Sequence, residues 1–344
     1  MKKRTENRKK RYLLFPLLLI LALLALSLYE KKSDRSKENY SMIYIPKVED
    51  EANDFWETLI QGAVMAAEDY GVDLQILAPD SETNLEQQES YLKEAIAMAP
   101  DAILISPQSV TESNALLKQA KDAGIHVIFI DSYVSEPVQD LIIATDNVVM
   151  GEELGAYAAT FLEEDSEIVM VGHVQNSSTA IEREQGIRSG LGSFEKNVRE
   201  TVFCGSQFSV AYDQTTELLK KYPDLDMVIG MNEYSTVGAA RAVRDMGRQS
   251  EVMVLGIDNS LETIQLMEEG VIRAIMLQMP FNMGYLGVEE TIHLLNREKI
   301  DVKYINSGTK LIETKDIYTE ENQKLLFPFS GKGSFFVNFQ PFFG

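Results

Sequence analysis

The sequence predicts an α/β protein made of two similar halves, each a parallel, doubly wound sheet with helices on both faces. Three observations carry this. Short apolar runs alternate with helix-patterned stretches from position 41 to about 313, the signature of repeated βαβ units. The runs are apolar at consecutive positions, as in strands covered on both faces. The roughly 300 residues after position 40 suffice for two lobes of ordinary domain size.

The first unit sets the pattern. Residues 41–46 form a strand centred on Ile43, Tyr44 and Ile45, and a helix follows from Asp54. Asp54 is placed to cap the first turn, with Glu57 reaching back as in a capping box. Phe55, Leu59, Ala63, Ala66 and Tyr70 recur at helical spacing, widened by Ile60 and Ala67. Gly71 ends the helix, because glycine adopts the left-handed cap conformation at no steric cost.

The alternation continues with strands at 73–78, 102–106, 126–131 and 141–145. Helices at 84–98 and 113–123 separate them, and a further helix runs from Asn147 to about Glu163. The second half repeats the scheme with strands at 167–172, 201–204, 227–231, 252–257 and 272–278. Its helices are read at 178–191, capped by Ser178, at 212–221, at 235–246, after Asn259 to Glu269, and at 281–295. Short strands at 302–305 and 310–313 close the fold, and the apolar tail 325–343 has no usable period.

Charge is unevenly placed. Residues 1–40 hold 11 of the 32 Lys and Arg but only 4 of the 53 Asp and Glu, so the remainder carries 21 against 49, a net of −28. Nucleic acid needs a basic footprint, which this body lacks. Cys204 is the only cysteine, so an intrachain disulfide and a multi-cysteine metal site are both excluded. His126, His173 and His293 are isolated in the sequence and read as structural or surface residues. No cofactor and no metal site is expected.

Seven basic residues between Lys2 and Arg11 precede an apolar run at 12–29. Positive residues stay on the cytoplasmic side, so the body is expected outside the cytoplasm. The run suits either a signal segment, with a small-x-small site at Ala25-Leu26-Ser27, or an uncleaved transmembrane anchor. The polar linker 30–40 that follows favours the anchor. No cysteine near its end offers a site for lipid attachment.

Polar side chains stand where strands run out: Asn53, Ser106, Asp131, Asn232, Asp258 and Gln278. Each alone suits a turn or a helix cap as well as a ligand contact. Together they would line one edge of two sheets, where open α/β folds bind ligands. Phe55 and Trp56 stand beside them. Short amides, acids and hydroxyls next to aromatic rings fit a polyhydroxylated ligand, because they bracket hydroxyls while a ring covers a C–H face. Arg183, in the run Ile181-Glu182-Arg183-Glu184, suits either a solvated ion pair or a fork donating to two hydroxyls.

Over residues 41–315 the chain resembles the type I periplasmic binding proteins of bacterial sugar uptake, the ribose- and galactose-binding group. The resemblance rests on Asn53-Asp54-Phe55-Trp56, Ile130-Asp131, Thr145-Asp146-Asn147, Glu182-Arg183-Glu184-Gln185-Gly186, Met231-Asn232-Glu233, Gly256-Ile257-Asp258 and Leu277-Gln278. It implies two Rossmann-like lobes joined by three crossovers and closing on a monosaccharide or related polyol. Lobe 1 would comprise 41–144 and 280–306, lobe 2 146–278 and 308–328, with hinges near Thr145, Met279 and Ser307 and a tail at 329–344. It also implies pocket roles for Asn53, Phe55, Trp56, Asp131, Arg183, Asn232, Asp258 and Gln278, with Ser106 added. One departure stands out: the strand-end acid is usually followed by arginine, whereas Ser132 follows Asp131, so a cationic donor is expected to be lost. The aromatic usually added by lobe 2 has no clear counterpart, although Gln207 and Phe208 lie near its position.

The resemblance and the anchor together imply an extracytoplasmic sugar receptor that presents its closed form to a membrane histidine kinase. The alternative is the capture subunit of an ABC importer, which would dock on a permease. A repressor of the same two-lobed shape would carry a DNA-binding helix-turn-helix where this chain has its apolar run. The enzyme reading has no Gly-x-Gly-x-x-Gly, Walker lysine or Gly-x-Ser-x-Gly motif behind it, only the acid pair Asp131 and Asp258.

Overall fold

The structure, a computed structural model, describes residues 40–300 and 302–327. The expected membrane segment 12–29, nearly all of the linker and the tail 329–344 lie outside those residues. Among the described residues no helix is long and apolar enough to cross a membrane.

Lobe 1 is a six-stranded sheet with two helical layers. Its strands are β1 (Ser41–Ile45), β2 (Asp73–Ile76), β3 (Ala102–Ile105), β4 (His126–Ile130), β5 (Leu141–Ala144) and β11 (Tyr304–Asn306), in the order β11-β5-β4-β3-β1-β2. All of its pairings are parallel. Alternate side chains go to opposite faces, as the pleat requires. Met42 and Tyr44 pack under α1 (Asp54–Tyr70) and α9 (Pro280–Leu295), whereas Ile43 and Ile45 pack under α2 (Leu85–Met98) and α3 (Asn114–Asp122).

Lobe 2 repeats this plan with β6 (Ile168–Gly172), β7 (Val198–Phe203), β8 (Met227–Gly230), β9 (Met253–Ile257), β10 (Ile272–Gln278) and β12 (Thr309–Glu313) in the order β12-β10-β9-β8-β6-β7. The edge strand β12 runs antiparallel to β10, the one departure from the parallel sheets expected. One face carries α4 (Asn147–Ala159) and α5 (Ser178–Leu191). The other carries α6 (Phe208–Lys221), α7 (Glu233–Asp245), α8 (Leu261–Glu268) and α10 (Glu320–Leu326). The strand β7 begins three residues before the expected 201, because Val198 already pairs with Ile168.

In each lobe the helix after the first strand crosses a helix that follows a passage between lobes, and glycines set the approach. A Cβ on Gly62 of α1 would stand 2.2 Å from Phe281 O of α9, and one on Gly186 of α5 would stand 2.2 Å from Val148 O of α4. The chain passes between the sheets after β5, after β10 and after β11. These passages are tied together: Thr145 Oγ1 donates to Gln278 Oε1 (2.8 Å), and Ser307 N donates to Ala144 O (3.0 Å).

Candidate ligand-binding cleft

The carboxyl ends of both sheets face one cleft. Lobe 1 supplies the turn after β1 and the first turn of α1. Asn53 rather than Asp54 is the N-cap: its extended backbone (φ −119°) lets Oδ1 accept from Trp56 N at 3.1 Å. Asp54, now the first helical residue, accepts instead from Leu261 N of lobe 2 at 3.2 Å. Phe55 and Trp56 meet edge to face, their centroids 5.1 Å apart. The indole Nε1 donates to Glu82 Oε1 at 2.5 Å, which fixes the plane of the ring.

The strand-end acids Asp131 and Asp258 hold equivalent places after β4 and β9. Both lie in the left-handed backbone region (φ 66° and 74°), a strained state for a residue with a Cβ. The strain is held by the next strand, since Asp131 N donates to Ile143 O and Asp258 N to Met276 O, each at 2.9 Å. The bend frees Asp258 from capping; the next helix starts at Leu261, capped by Ser260, whose Oγ accepts from Thr263 N.

Lobe 2 brings a cation and amides. Arg183 is buried on α5, where Nε donates to Asn147 Oδ1 and NH1 to Met231 O, both at 2.8 Å. Its helix is capped by Ser177, not Ser178, whose Oγ reaches across to accept from Tyr133 N. Asn232 caps α7 through a capping box with Ser235. Gln278 Nε2 donates to Asp258 Oδ1 at 2.6 Å, while its Oε1 is held by Thr145 at the hinge.

Eight of the nine residues singled out in the sequence line one cavity: Asn53, Phe55, Trp56, Asp131, Arg183, Asn232, Asp258 and Gln278. Ser106 does not. It is buried beside β1, with its hydroxyl paired to Tyr44 OH at 3.0 Å. Four lining residues escaped the sequence reading: Lys47, Glu82, His173 and Thr179. Lys47 corrects an expectation, because no cation is lost beside Asp131. Its ammonium, reaching from the end of β1, donates to Asp131 Oδ2 at 2.8 Å and lies 5.7 Å from the Trp56 ring centroid. His173, read as structural or surface, is a cavity residue at the end of β6; its Nε2 pairs with Thr179 Oγ1 at 2.9 Å and its buried Nδ1 has no protein partner.

Burial sets the protonation pattern. It pushes the Asp258 carboxyl up, against the opposing pull of Arg183 and the Gln278 hydrogen bond. It raises Glu82 likewise, offset in part by Lys47, Ser206 and Trp56. His173 is driven well below the usual imidazole range by burial and then by the charges of Arg183 and Lys47, so the ring is neutral. Two cations, Lys47 and Arg183, thus stand among three acids, Glu82, Asp131 and Asp258, in one cavity.

The lobes are shut on each other. Glu233 of α7 accepts from Asp54 N (3.4 Å) and Phe55 N (3.3 Å) at the start of α1, where the helix dipole favours an acceptor. Ser206 donates to Glu82 at 2.7 Å, Tyr234 OH donates to Asp50 at 2.7 Å, and Tyr133 OH donates to Glu182. Closed in this way, the cavity holds about 20 Å³, room for little more than one water.

A two-lobed α/β body with its polar strand ends gathered at an interlobe cleft defines a periplasmic-binding-type fold. The chain belongs to the periplasmic binding protein domain family, which it matches over residues 45–299. It is 27% identical to a ribose import binding protein of Escherichia coli K12 over 252 residues, 73% of this chain and 84% of that protein. A crystal structure of a sugar transporter from Clostridium phytofermentans superposes with a TM-score of 0.76 at 40% identity, covering 80% of this chain and 99% of the other. An Agrobacterium vitis solute-binding protein with bound α-D-tagatopyranose gives 0.76 at 27% identity, covering 83% and 99%. These matches bear out the type I resemblance read from the motifs. The chain is a binding protein, not an enzyme.

Proposed function

We propose that this protein is an extracytoplasmic receptor that closes on a monosaccharide or related polyol and presents the closed form to a membrane partner. One observation carries the reading: Asn53, Trp56, Asp131, Arg183, Asn232, Asp258 and Gln278, far apart in sequence, line a single interlobe cavity. Carboxylates and amides bracket neighbouring hydroxyls, the guanidinium donates as a fork, and the indole covers a C–H face.

Entry requires the lobes to part about the passages at Thr145, Met279 and Ser307. A sugar then replaces internal pairs such as Lys47–Asp131 and Gln278–Asp258, and contacts to both lobes favour closure because the open state cannot make them. A shift from mostly open to mostly closed needs about 5 kcal/mol of differential affinity, within reach of several charge-assisted hydrogen bonds and a stacked ring. Gln278 ties ligand to hinge directly, since it touches both Asp258 and Thr145.

The names of the relatives support import, with an ABC permease as the partner. An uncleaved anchor at 12–29 supports a fixed complex with a membrane histidine kinase, the role we place first. A thermal-shift screen of the body against pentoses, hexoses and polyols tests the binding reading; a stabilising sugar is expected, and none at millimolar concentration refutes it. Crosslinking in native membranes separates the partners: capture of a permease with no kinase overturns the sensor role.

A further inference from the structure

Beside the sugar cavity lies a second, larger chamber of about 550 Å³, within the usual range for small-molecule sites. Asp50 of lobe 1 forms one wall, and Ser206, Gln207, Phe208, Tyr212 and Tyr234 of lobe 2 form the others. The linings of the two spaces touch: Ser206, which lines the outer chamber, donates to Glu82, which lines the inner one. The two spaces also share supports. Asp50 precedes Asn53 in one loop, and Tyr234 follows Asn232 at the start of α7.

The loop that shapes the chamber is strained. Gly205 and Ser206 are both left-handed (φ 60° and 56°), and this double turn sends Phe208 into the outer chamber instead of the inner cavity. Phe208 and Tyr234 rings lie 4.7 Å apart, with Tyr212 beside them. Arg241 forks onto Glu262 at 2.6 and 2.5 Å and lies 5.3 Å from the Phe208 ring centroid, while Asp50 accepts from the neutral Tyr234 OH. An aromatic wall edged by serines, an amide and a carboxylate suits a neutral ring that has an apolar face and hydroxyls at its rim.

We propose that the outer chamber is a second saccharide subsite, which takes the next ring of a disaccharide whose first ring occupies the inner cavity. The inference rests on the sugar-binding reading of the inner cavity. The glycosidic link crosses where Ser206 meets Glu82 and replaces that contact.

Calorimetry on the full chain tests this with matched pairs: D-xylose and xylobiose, D-glucose and cellobiose, L-arabinose and arabinobiose. One disaccharide is expected to bind about tenfold more tightly than its parent sugar, the worth of one well-stacked ring. Ser209→Trp, which fills the chamber from an exposed position, should remove that gain and leave monosaccharide affinity within about twofold. Monosaccharide binding that every disaccharide fails to exceed overturns the subsite and leaves the receptor reading standing. Equal weakening of both sugar sizes by Ser209→Trp, with unchanged thermal stability, also overturns it. Binding of neither size overturns the subsite and the receptor reading together.

Discussion

The two lobes share a strand order and even a strained acid at the end of the fourth strand, yet they treat that acid differently. Asp131 in lobe 1 is paired directly with the ammonium of Lys47. Asp258 in lobe 2 is held by neutral donors, Gln278 Nε2 and Glu233 N, with Arg183 opposing its charge from a distance. The repeat thus supplies matching frames while the side chains at equivalent strand ends divide the work. Lobe 1 offers an indole platform and a close ion pair, and lobe 2 offers a guanidinium and amides linked to the hinge. On the proposed function, a sugar between them would meet two unlike surfaces, and that difference would orient it.

The largest effect should come from the cation of lobe 2. Arg183→Ala leaves Met231 O and Asn147 Oδ1 without their donors and Asp258 without its counter-charge. Sugar affinity should fall about 100-fold or more, with about 2 kcal/mol lost from stability, read by calorimetry and chemical denaturation. An affinity within a few-fold of wild type would mean that Arg183 only props the helices.

Removing the cation of lobe 1 is the matching break. Lys47→Met leaves Asp131 buried without its partner and should cost about 3 kcal/mol. The double variant Lys47→Met with Asp131→Leu should recover most of that loss, since a well-packed apolar pair is tolerated where a lone charge is not. Sugar binding should stay lost in both. If the double variant is no more stable than the single one, the ion pair is not the source of the cost.

The helix crossings allow a like-for-like comparison between lobes. Gly62→Ala in lobe 1 and Gly186→Ala in lobe 2 each drive a Cβ to 2.2 Å from a facing carbonyl oxygen. Each should cost about 2 kcal/mol. Because Phe55 and Trp56 ride on the helix of Gly62 as Arg183 rides on that of Gly186, both variants should also weaken sugar binding. An unchanged affinity in either variant would mean that its helix does not carry part of the site.

The smallest expected effect concerns pH. Burial raises the Glu82 carboxyl above its ordinary value of 4.5. A carboxyl with a raised folded-state pKa adds stability that is full below the unfolded value and lost as pH rises through the folded one. Melting at pH 5 should therefore exceed that at pH 8 by about 3 °C. Glu82→Gln should shrink the difference, with Asp258 and Glu233, also raised by burial, supplying the rest. An unchanged pH profile in Glu82→Gln would place the dependence elsewhere.

Most of the architecture was legible because buried parallel strands write themselves as unbroken apolar runs, and the residues that end those runs are fixed in place by the sheet. Asp131, Asn232, Asp258 and Gln278 could be picked out for that reason alone. The same cue misled at Ser106, because a small hydroxyl at a strand end can turn inward, and this one satisfies Tyr44. Lys47 and Glu82 carried no local signal. A lysine after a proline and a glutamate in a polar turn look solvated, yet the fold of lobe 1 sets them against Asp131 and Trp56, and Ser206 of lobe 2 closes over Glu82. Comparison of the two halves could have found Lys47, since it follows β1 as His173 follows β6. The resemblance to ribose-type proteins also suggested a missing cation; side-chain reach from the end of β1, two strands from β4, supplied one.

Trp56 is the only tryptophan and lines the interlobe cavity, so its fluorescence reports directly on the cleft. Titration with a panel of aldopentoses and aldohexoses should give a saturable change for at least one sugar, and Asp258→Ala should remove it without altering the spectrum of the free protein. A flat response to every sugar, or an equal response in Asp258→Ala, would contradict a carbohydrate site between the lobes.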